Sequence, residues 1–327
     1  MPSYGDQFLT QLNRALSEQT YGEQPATLYE PIRYIMELGG KRLRPMLTLL
    51  AYRLFSDEHP PEAVVRAALA VEVFHNFTLM HDDIMDQAPL RRGQPTVHER
   101  WNANVAILSG DVMLVKAYEL LMNVPAEQLP AVLTAFNRCA TEVCEGQQWD
   151  MDFETTEQVT ETDYLRMIRQ KTGVLLGFSL QLGGLLANAS PADTQHLYQA
   201  GEHIGIGFQL KDDLLDVYAD QRKFGKQVGG DIIVNKKTFL LIRALAEAEG
   251  AQQQQLTDWI SRKQFDKEQK VAAVRAIYDA LDIRTTTRNK MNEYFRTGLQ
   301  HLQQLTVGDT HQEMLRAYVT QLIDREK

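Results

Sequence analysis

Residues 62–86 read EAVVRAALAVEVFHNFTLMHDDIMD, and this stretch indicates the fold class. Its apolar residues recur at spacings of three and four, which is the period of an α-helix. It ends in an aspartate cluster formed by Asp82, Asp83 and Asp86. The same form recurs at Asp212, Asp213 and Asp216, again within an apolar-periodic stretch. Two such stretches suit two core helices that face each other across a cavity.

Helical spacing continues through most of the chain. The periodic stretches are Tyr29–Leu38, Arg44–Phe55, Asn104–Met122, Leu129–Trp149, Thr162–Asn188, Ala192–Ala219, Lys237–Ala248 and the C-terminal third. Glycine and proline pairs break the pattern where loops are expected, and Ser190 before Pro191 predicts a helix N-cap. No linker divides the chain. The sequence therefore predicts an all-α, single-domain helical bundle over residues 1–327, with ten or more helices around a central apolar cavity.

Composition bears on the partners of the chain, on disulfide bonding and on its compartment. The chain has 327 residues, 44% hydrophobic residues and a net charge of -9, with basic residues scattered along it. This balance argues against a nucleic-acid partner. Cys139 and Cys144 lie five positions apart in one predicted helix, so they face different directions and a disulfide is not expected. Without a signal-peptide pattern in MPSYGDQFLTQL, the expected compartment is the cytoplasm.

One apolar stretch raises the question of a membrane span. Residues 173–189 read GVLLGFSLQLGGLLANA, with four glycines, a serine and a glutamine. The stretch is shorter than the ~20 residues that a spanning helix needs. We therefore predict a buried core helix and no membrane span.

The two aspartate clusters predict a metal site. On a helix, positions i, i+1 and i+4 bring three carboxylates close together, and their charges repel each other unless a cation lies between them. All the candidate ligands are hard oxygens, and no histidine or cysteine stands at ligand spacing, so Mg²⁺ is the expected ion. Mg²⁺ held by a few carboxylates keeps positions for water and for phosphate oxygens. The sequence thus predicts that the two clusters face each other and together hold magnesium and diphosphate.

Basic residues accompany both clusters. GGKRLRP at 39–45 combines a glycine pair with cations, and Arg91 and Arg92 follow the first aspartate cluster. Lys171-Thr172 opens the apolar stretch, and Gly225-Lys226, Asp231 and Lys236-Lys237 follow the second cluster. We infer two anion sites of different kinds. One is bridged by metal, and the other is metal-free and formed by Lys41, Arg44 and Arg92. With an apolar cavity between them, such a protein binds two diphosphates with apolar tails and removes one diphosphate.

Taken together, these motifs resemble the trans-isoprenyl diphosphate synthase, or polyprenyl synthetase, family. The resemblance covers about residues 25–245, and the C-terminal third matches only in helical character. The matching motifs occur in the order and at the spacing of the family: GGKRLRP, HDDIMD, RRGQPTVH, Gly146-Gln147, Lys171-Thr172, FQLKDDLLD and GKQVGGD.

The resemblance implies a reaction and a set of roles. The reaction is the Mg²⁺-assisted, head-to-tail (1′-4) condensation of isopentenyl diphosphate with an allylic diphosphate, in an enzyme that is usually a homodimer. Three Mg²⁺ ions are expected per active site. Asp82 and Asp86 would hold two of them and Asp212 the third, with Asp83, Asp213 and Asp216 in support.

The remaining roles that the resemblance implies concern the substrates. Arg91, Lys171 and Lys226 would bind the allylic diphosphate, helped by Lys236. The diphosphate of isopentenyl diphosphate would lie against Gly40, Lys41, Arg44, His75 and Arg92. Thr172 and Gln209 would direct their oxygens at the developing carbocation.

Product length in this family depends on residues that precede the first aspartate cluster. Phe77 lies five positions before Asp82, with Thr78 and Phe74 beside it, and Phe77 is the expected floor of the tail cavity. This pattern favours geranylgeranyl diphosphate (C20), with farnesyl diphosphate (C15) or a longer product as alternatives. A non-catalytic partner subunit is a further alternative, opposed by two intact aspartate clusters. A terpene cyclase is the last alternative, opposed by the presence of a basic site for a second diphosphate.

Overall fold

The computed structural model describes residues 4–219 and 229–324, and these are almost entirely helical. The helices are α1 (Tyr4–Glu18), α2 (Ala26–Glu37), α3 (Leu43–Phe55), α4 (Glu62–Met85), α5 (Val97–Arg100), α6 (Ala103–Leu121), α7 (Leu129–Thr155), α8 (Glu161–Ile168), α9 (Val174–Leu186), α10 (Pro191–Tyr218), α11 (Gly230–Ile233), α12 (Phe239–Glu247), α13 (Gly250–Ser261), α14 (Lys267–Ala280), α15 (Ile283–Gln303) and α16 (Asp309–Asp324). A π-helical segment, Arg169–Gly173, joins α8 to α9. One short hairpin pairs β1 (Leu90–Arg91) with β2 (Gln94–Pro95). The all-α prediction is confirmed.

Most boundaries lie within two residues of the predicted ones, but α1 was not predicted and α2 begins three residues before Tyr29. Helix α7 continues to Thr155, beyond the expected end at Trp149. The stretch expected as one helix over Thr162–Asn188 is interrupted by the π-helical segment, which periodicity alone does not reveal. The cap predicted at Ser190 is confirmed, because its hydroxyl accepts a hydrogen bond of 3.1 Å from the backbone N–H of Asp193.

Contacts within the chain group its residues into two compact units. Unit 1 comprises Met1–Arg138, Phe178–Tyr198 and Leu305–Leu315, and unit 2 comprises Cys139–Gly177, Gln199–Gln304 and Arg316–Lys327. The segments of the two units alternate along the chain. The assignment of residues 1–327 to one domain stays a prediction.

Helix α4 is central to unit 1. It contacts α1, α2, α3 and α6, and most of its side chains are buried. Among the described residues, α4 is also the one helix that is long and apolar enough to cross a membrane, and 72% of its apolar window is buried within the protein. Burial of that extent is typical of a core helix in a soluble protein. The stretch at 173–189, where the question arose from the sequence, does not meet these criteria among the described residues.

Close helix packing shapes unit 2. A Cβ atom added at Gly205 of α10 would lie 2.7 Å from Gly173 Cα, and one at Gly201 would lie 2.4 Å from the Leu176 carbonyl oxygen. Only glycine permits this approach of two backbones. It brings α10 against the π-helical segment and the start of α9. A core cluster that includes Tyr164, Leu210 and Phe239 packs α8, α10 and α12 against one another.

Candidate active site

The first aspartate motif lies at the C-terminal end of α4. Asp86 caps the helix, and its backbone N–H donates to the Asp82 carbonyl oxygen at 2.8 Å. The Asp82 side chain is 19% exposed and Asp86 is exposed, whereas Asp83 is only 3% exposed. The C-terminal end of a helix carries partial negative charge, so three carboxylates there are unfavourable without a nearby cation.

A buried ion pair fixes Asp83. Nε and Nη2 of Arg91 each donate to one carboxylate oxygen of Asp83, both at 2.7 Å. Burial alone would lower the pKa of Arg91, but the hydrogen bond and charge of Asp83, with the charges of Asp82 and Asp86, leave it raised. Nη1 of Arg91 has no partner among the described residues. Asp83 therefore orients Arg91 and leaves one edge of the guanidinium for an anion.

The hairpin separates two adjacent arginines. Arg92 has φ 54° and Gly93 has φ 77°, so both residues of the two-residue turn are left-handed. Arg91 contacts Asp83, but the guanidinium of Arg92 lies against Gly40, where an added Cβ would be 3.0 Å from Nη2. These neighbours in the sequence therefore have different partners.

A basic pocket receives Arg92. This pocket has a volume of about 310 Å³ and is lined by Gly40, Lys41, Arg42, Leu43, Arg44, Glu72, His75 and Arg92. Arg42 and Glu72 form a buried ion pair at 2.5 Å, and Arg42 also donates to the Met36 carbonyl oxygen at 3.0 Å. Four cations against one carboxylate leave an excess of positive charge, which suits a diphosphate.

His75 enters this pocket as a neutral side chain. Burial, followed by the charges of Arg44, Arg92, Arg91 and Arg42, holds the pKa of His75 well below 6.5. Nε2 of His75 lies 3.1 Å from Nη1 of Arg44, so the neutral ring accepts from the guanidinium. Four of the five residues predicted for this site from the sequence thus lie beside Arg92, which is the fifth.

The residues expected to set product length belong to an aromatic cluster in unit 1. Phe74 is fully buried, and its ring centre lies 5.6 Å from that of Phe77 and 5.1 Å from that of Phe136. Phe77 also lies 4.8 Å from the ring of His81. Thr78 differs from them, since its hydroxyl donates to the His75 carbonyl oxygen at 2.8 Å.

The second aspartate motif lies in the last two turns of α10. Asp213 is buried, where it accepts from the Tyr164 hydroxyl and, at 3.1 Å, from the Gln209 amide. Burial and the charge of Asp231 raise its pKa to about 7, against the lowering effect of these hydrogen bonds. Asp212 is exposed, and Asp216 accepts from the backbone N–H of Asp231 at 3.0 Å.

Two lysines meet one carboxylate in unit 2. Nζ of Lys171 lies 2.7 Å and Nζ of Lys236 3.8 Å from the same Asp150 oxygen. Burial would raise the pKa of Asp150, but the charges of Lys236 and Lys171 lower it overall. Gly146, one turn before Asp150, permits this contact because a Cβ there would lie 2.3 Å from the Lys171 backbone nitrogen. The π-helical segment that carries Lys171 is a form often found at functional sites.

Thr172 and Gln209 also lie together. The Thr172 hydroxyl donates to the Gln209 side-chain oxygen at 3.2 Å, and the Gln209 nitrogen in turn donates to Asp213. This chain of hydrogen bonds fixes the orientation of the amide. Lys226, which was predicted to bind the allylic diphosphate, lies outside the described residues.

The carboxylates fit a divalent cation. Within the described ranges, no three Asp, Glu, His or Cys side chains are already grouped as a metal site. Asp82, Asp86 and Asp212 are nevertheless hard-oxygen donors with solvent access, whereas Asp83 and Asp213 are buried and hydrogen-bonded. A few accessible carboxylates suit a hard cation that takes its other ligands from water or phosphate.

Several residues of this arrangement were not predicted as site residues. Asp150, Tyr164 and the Arg42–Glu72 pair all act by holding a predicted residue or shaping its pocket. Asp150 gave one signal in the sequence, since it follows Gly146 by one helical turn. Tyr164 and Glu72 gave none, because their partners are distant in the sequence.

Comparisons with known proteins show the family of this chain. The sequence model of the polyprenyl synthetase family matches residues 25–278, further than the motifs alone extend. A geranylgeranyl diphosphate synthase of Methanosarcina mazei is 42% identical over 235 residues, which are 71% of this chain and 72% of that protein. A crystal structure of a geranylgeranyl pyrophosphate synthase superposes with a TM-score of 0.93 at 38% identity, covering 100% of both chains.

A further structure includes ligands. The geranylgeranyl pyrophosphate synthase of Corynebacterium glutamicum, complexed with calcium and isoprenyl diphosphate, superposes with a TM-score of 0.81 at 27% identity, covering 98% of this chain and 96% of that one. Enzymes of this family use divalent metal ions. The family match, the fold and the paired aspartate motifs lead to one conclusion: this chain belongs to the polyprenyl synthetase family and is a prenyltransferase.

Proposed function

We propose that the chain condenses isopentenyl diphosphate head to tail with an allylic diphosphate and releases geranylgeranyl diphosphate. The basic pocket is the observation that carries this proposal. Its excess positive charge lies apart from the aspartates of its own unit, and no carboxylate of either motif lines it. A diphosphate bound there needs no metal, so it is held without being activated as a leaving group.

We propose that Mg²⁺ is the divalent ion and that three ions act per site. Asp82 and Asp86 would hold two of them, and Asp212 the third. When bound, Mg²⁺ supplies positive charge that stabilises a departing diphosphate. The buried Asp83 and Asp213 and the partly buried Asp216 would act in support, since each already accepts a hydrogen bond from the protein.

The protein's own groups provide the rest of the chemistry. Arg91, Lys171, Lys226 and Lys236 would bind the allylic diphosphate and stabilise its charge as the C–O bond breaks. Asp150 would keep two of these lysines together before the substrate arrives. The oxygens of Thr172 and Gln209 would stabilise positive charge on the allylic carbon, and apolar walls would exclude water.

The second substrate completes the reaction. Lys41, Arg44, Arg92 and Gly40 would hold the diphosphate of isopentenyl diphosphate, with neutral His75 orienting Arg44. Its double bond attacks the allylic carbon 1. The former isopentenyl unit would then lose a proton to the released diphosphate, and a trans double bond would form.

The proposed product is the C20 diphosphate. The relative from M. mazei is named for this product, and the aromatic cluster around Phe74 and Phe77 supplies bulk beside the first aspartate motif. Farnesyl diphosphate and longer products remain the alternatives. Chain length is a steric property, so it is decided by how far a growing tail extends before it meets these rings.

We also propose a homodimer in the cytoplasm. Helix α6 and its C-cap expose Ile107, Leu108, Val115 and Met122, of which Met122 is 66% exposed. An exposed apolar face of this kind suits a protein–protein contact. The free cysteines suit a reducing compartment. Light scattering on the purified protein tests the dimer: a monomer mass at micromolar concentration contradicts it.

Product analysis tests the proposed function. Labelled isopentenyl diphosphate and Mg²⁺ would be supplied with dimethylallyl, geranyl or farnesyl diphosphate in turn, and we expect chains that stop at C20. Asp82→Ala and Asp212→Ala should each reduce turnover by several orders of magnitude. The fold should survive, so each variant should still show a cooperative thermal unfolding transition. No elongation from any starter would refute the proposal and favour a non-catalytic subunit, and a cyclised hydrocarbon would favour a cyclase.

A further inference from the structure

Lys270 is a buried cation that the proposed reaction does not use. It lies on α14 and has no exposed surface. Its ammonium donates to the Ile233 carbonyl oxygen at 3.0 Å and to Oδ1 of Asn235 at 2.7 Å, and lies 4.3 Å from the centre of the Phe265 ring. All three partners are neutral, and burial lowers the pKa of Lys270. An apolar side chain would fill this position without the cost of burying an ammonium.

The two hydrogen-bond acceptors belong to one short segment. Ile233 ends α11, and Asn235 follows it in a left-handed conformation with φ 56°. The Asn235 side chain also donates to the Ile260 carbonyl oxygen at 3.0 Å. At the start of the segment, Gly229 packs on α14, since an added Cβ would lie 2.7 Å from Val271. Helix α14 therefore holds residues 229–236 near both ends.

The same segment carries two charged residues of the site. The backbone N–H of Asp231 donates to Asp216 of the second aspartate motif at 3.0 Å. Lys236 returns a backbone hydrogen bond of 2.9 Å to the Asp231 carbonyl oxygen. The ammonium of Lys236 then reaches Asp150 at 3.8 Å. A shift of this segment would move Asp231 and Lys236 together.

We propose that Lys270 is a positioning residue, which fixes residues 229–236 so that Asp231 and Lys236 keep their places beside Asp216 and Asp150. The inference rests on the proposed function, because that function assigns Lys236 to the allylic diphosphate and gives Asp216, the partner of Asp231, a supporting role at the metal. Lys270 itself touches no substrate. Its two hydrogen bonds anchor the segment to α14. Asp216 and Asp150 hold the other contacts of the segment, through the Asp231 N–H and the Lys236 ammonium.

Steady-state kinetics with Lys270→Met test this role. We expect kcat/KM for the allylic diphosphate to fall about 10- to 100-fold, because a small displacement of a binding group is enough to slow a reaction by this amount. KM for isopentenyl diphosphate should change by less than about twofold, because a localised loss affects one substrate only. Calorimetry with an unreactive thiolodiphosphate analogue of the allylic substrate should show a matching loss of affinity.

Two further variants separate positioning from stability. Thr287→Val removes another buried hydrogen bond in unit 2, from the Thr287 hydroxyl to the Ile283 carbonyl oxygen, and should leave both kinetic constants unchanged. Asn235→Gly removes the shared contact from the other side without straining the backbone. Both variants remove the hydrogen bond between Lys270 and Asn235, and each also removes one that the other keeps, to Ile233 or to Ile260. The effect of Asn235→Gly should therefore add only in part to that of Lys270→Met. If Lys270→Met fails to fold, Asn235→Gly carries the test.

The outcomes are distinct. Absence of product from the wild-type protein refutes the proposed function. If the wild-type protein is active, two results for Lys270→Met refute the positioning role alone. One is kinetics equal to wild type, and the other is an equal loss of kcat/KM for both substrates. Selective loss for the allylic substrate in Lys270→Met and Asn235→Gly, without loss in Thr287→Val, supports it.

Discussion

Gly146→Ala should damage catalysis more than folding. Gly146 of α7 lies against backbone atoms of the π-helical segment, and a Cβ there would be 2.3 Å from the Lys171 nitrogen and 2.7 Å from Lys171 Cα. Backbone cannot rotate away as a side chain can. Relief of the clash to an ordinary contact of 3.4 Å requires α7 and the segment to separate by about 1 Å.

The size of the effect follows from that displacement. Overpacking of this kind costs about 1–3 kcal/mol of stability. The separation also strains the contact of 2.7 Å between Lys171 and Asp150, which lies one turn after Gly146 on α7. A shift of about 1 Å in binding groups can reduce rates by about 100-fold. We therefore expect kcat/KM for the allylic diphosphate to fall by about two orders of magnitude.

A matched glycine provides the control. Gly298→Ala also adds a methyl group to a packed helix of unit 2, with its Cβ 2.8 Å from the Ile204 side chain, but Gly298 does not touch Lys171. Thermal unfolding and steady-state kinetics would be measured for both variants. Equal stability losses with a kinetic defect only in Gly146→Ala support the argument. A folded Gly146→Ala enzyme with wild-type kcat/KM would refute it.

Three further predictions concern unit 1. Phe77→Ala should lengthen the product by at least one five-carbon unit, because it removes a ring from the aromatic cluster; chromatography of the products checks this, and an unchanged C20 limit counts against Phe77 as the floor. Arg92→Ala should raise KM for isopentenyl diphosphate by about 10- to 100-fold, the equivalent of a lost charge-assisted hydrogen bond of about 1.5–3 kcal/mol; an equal rise in KM for the allylic substrate would contradict separate sites. His75 should contribute to acid sensitivity. Its pKa in the folded protein lies below the 6.5 of the unfolded chain, so the unfolded chain binds the proton first and stability falls as pH drops through about 6.5. Between pH 7.5 and 5, denaturant unfolding should show a smaller loss of unfolding free energy for His75→Gln than for the wild-type protein. An equal loss in the two proteins would mean that other groups cause the acid sensitivity.

The sequence predicted the helices well where burial is repeated. The apolar spacing over residues 62–86 marks α4 to within one residue of its end, because a buried face must recur with the helical period. The family motifs also identified most residues of the basic pocket. The helix prediction succeeds because spacing along one helix is a local property. The pocket residues come from three separate segments of the chain and were named from the family resemblance.

The tertiary structure alone decided which partners those residues have. Arg91 and Arg92 are neighbours in the sequence, yet a left-handed turn directs one to Asp83 and the other to Gly40. Likewise, Lys171 meets Asp150, 21 positions away, because a glycine lets two backbones approach. Such contacts depend on how separate elements pack, and no local spacing records that. The sequence by itself therefore determined the all-α fold and the charges that serve a diphosphate reaction, whereas packing decided which carboxylate orients each cation.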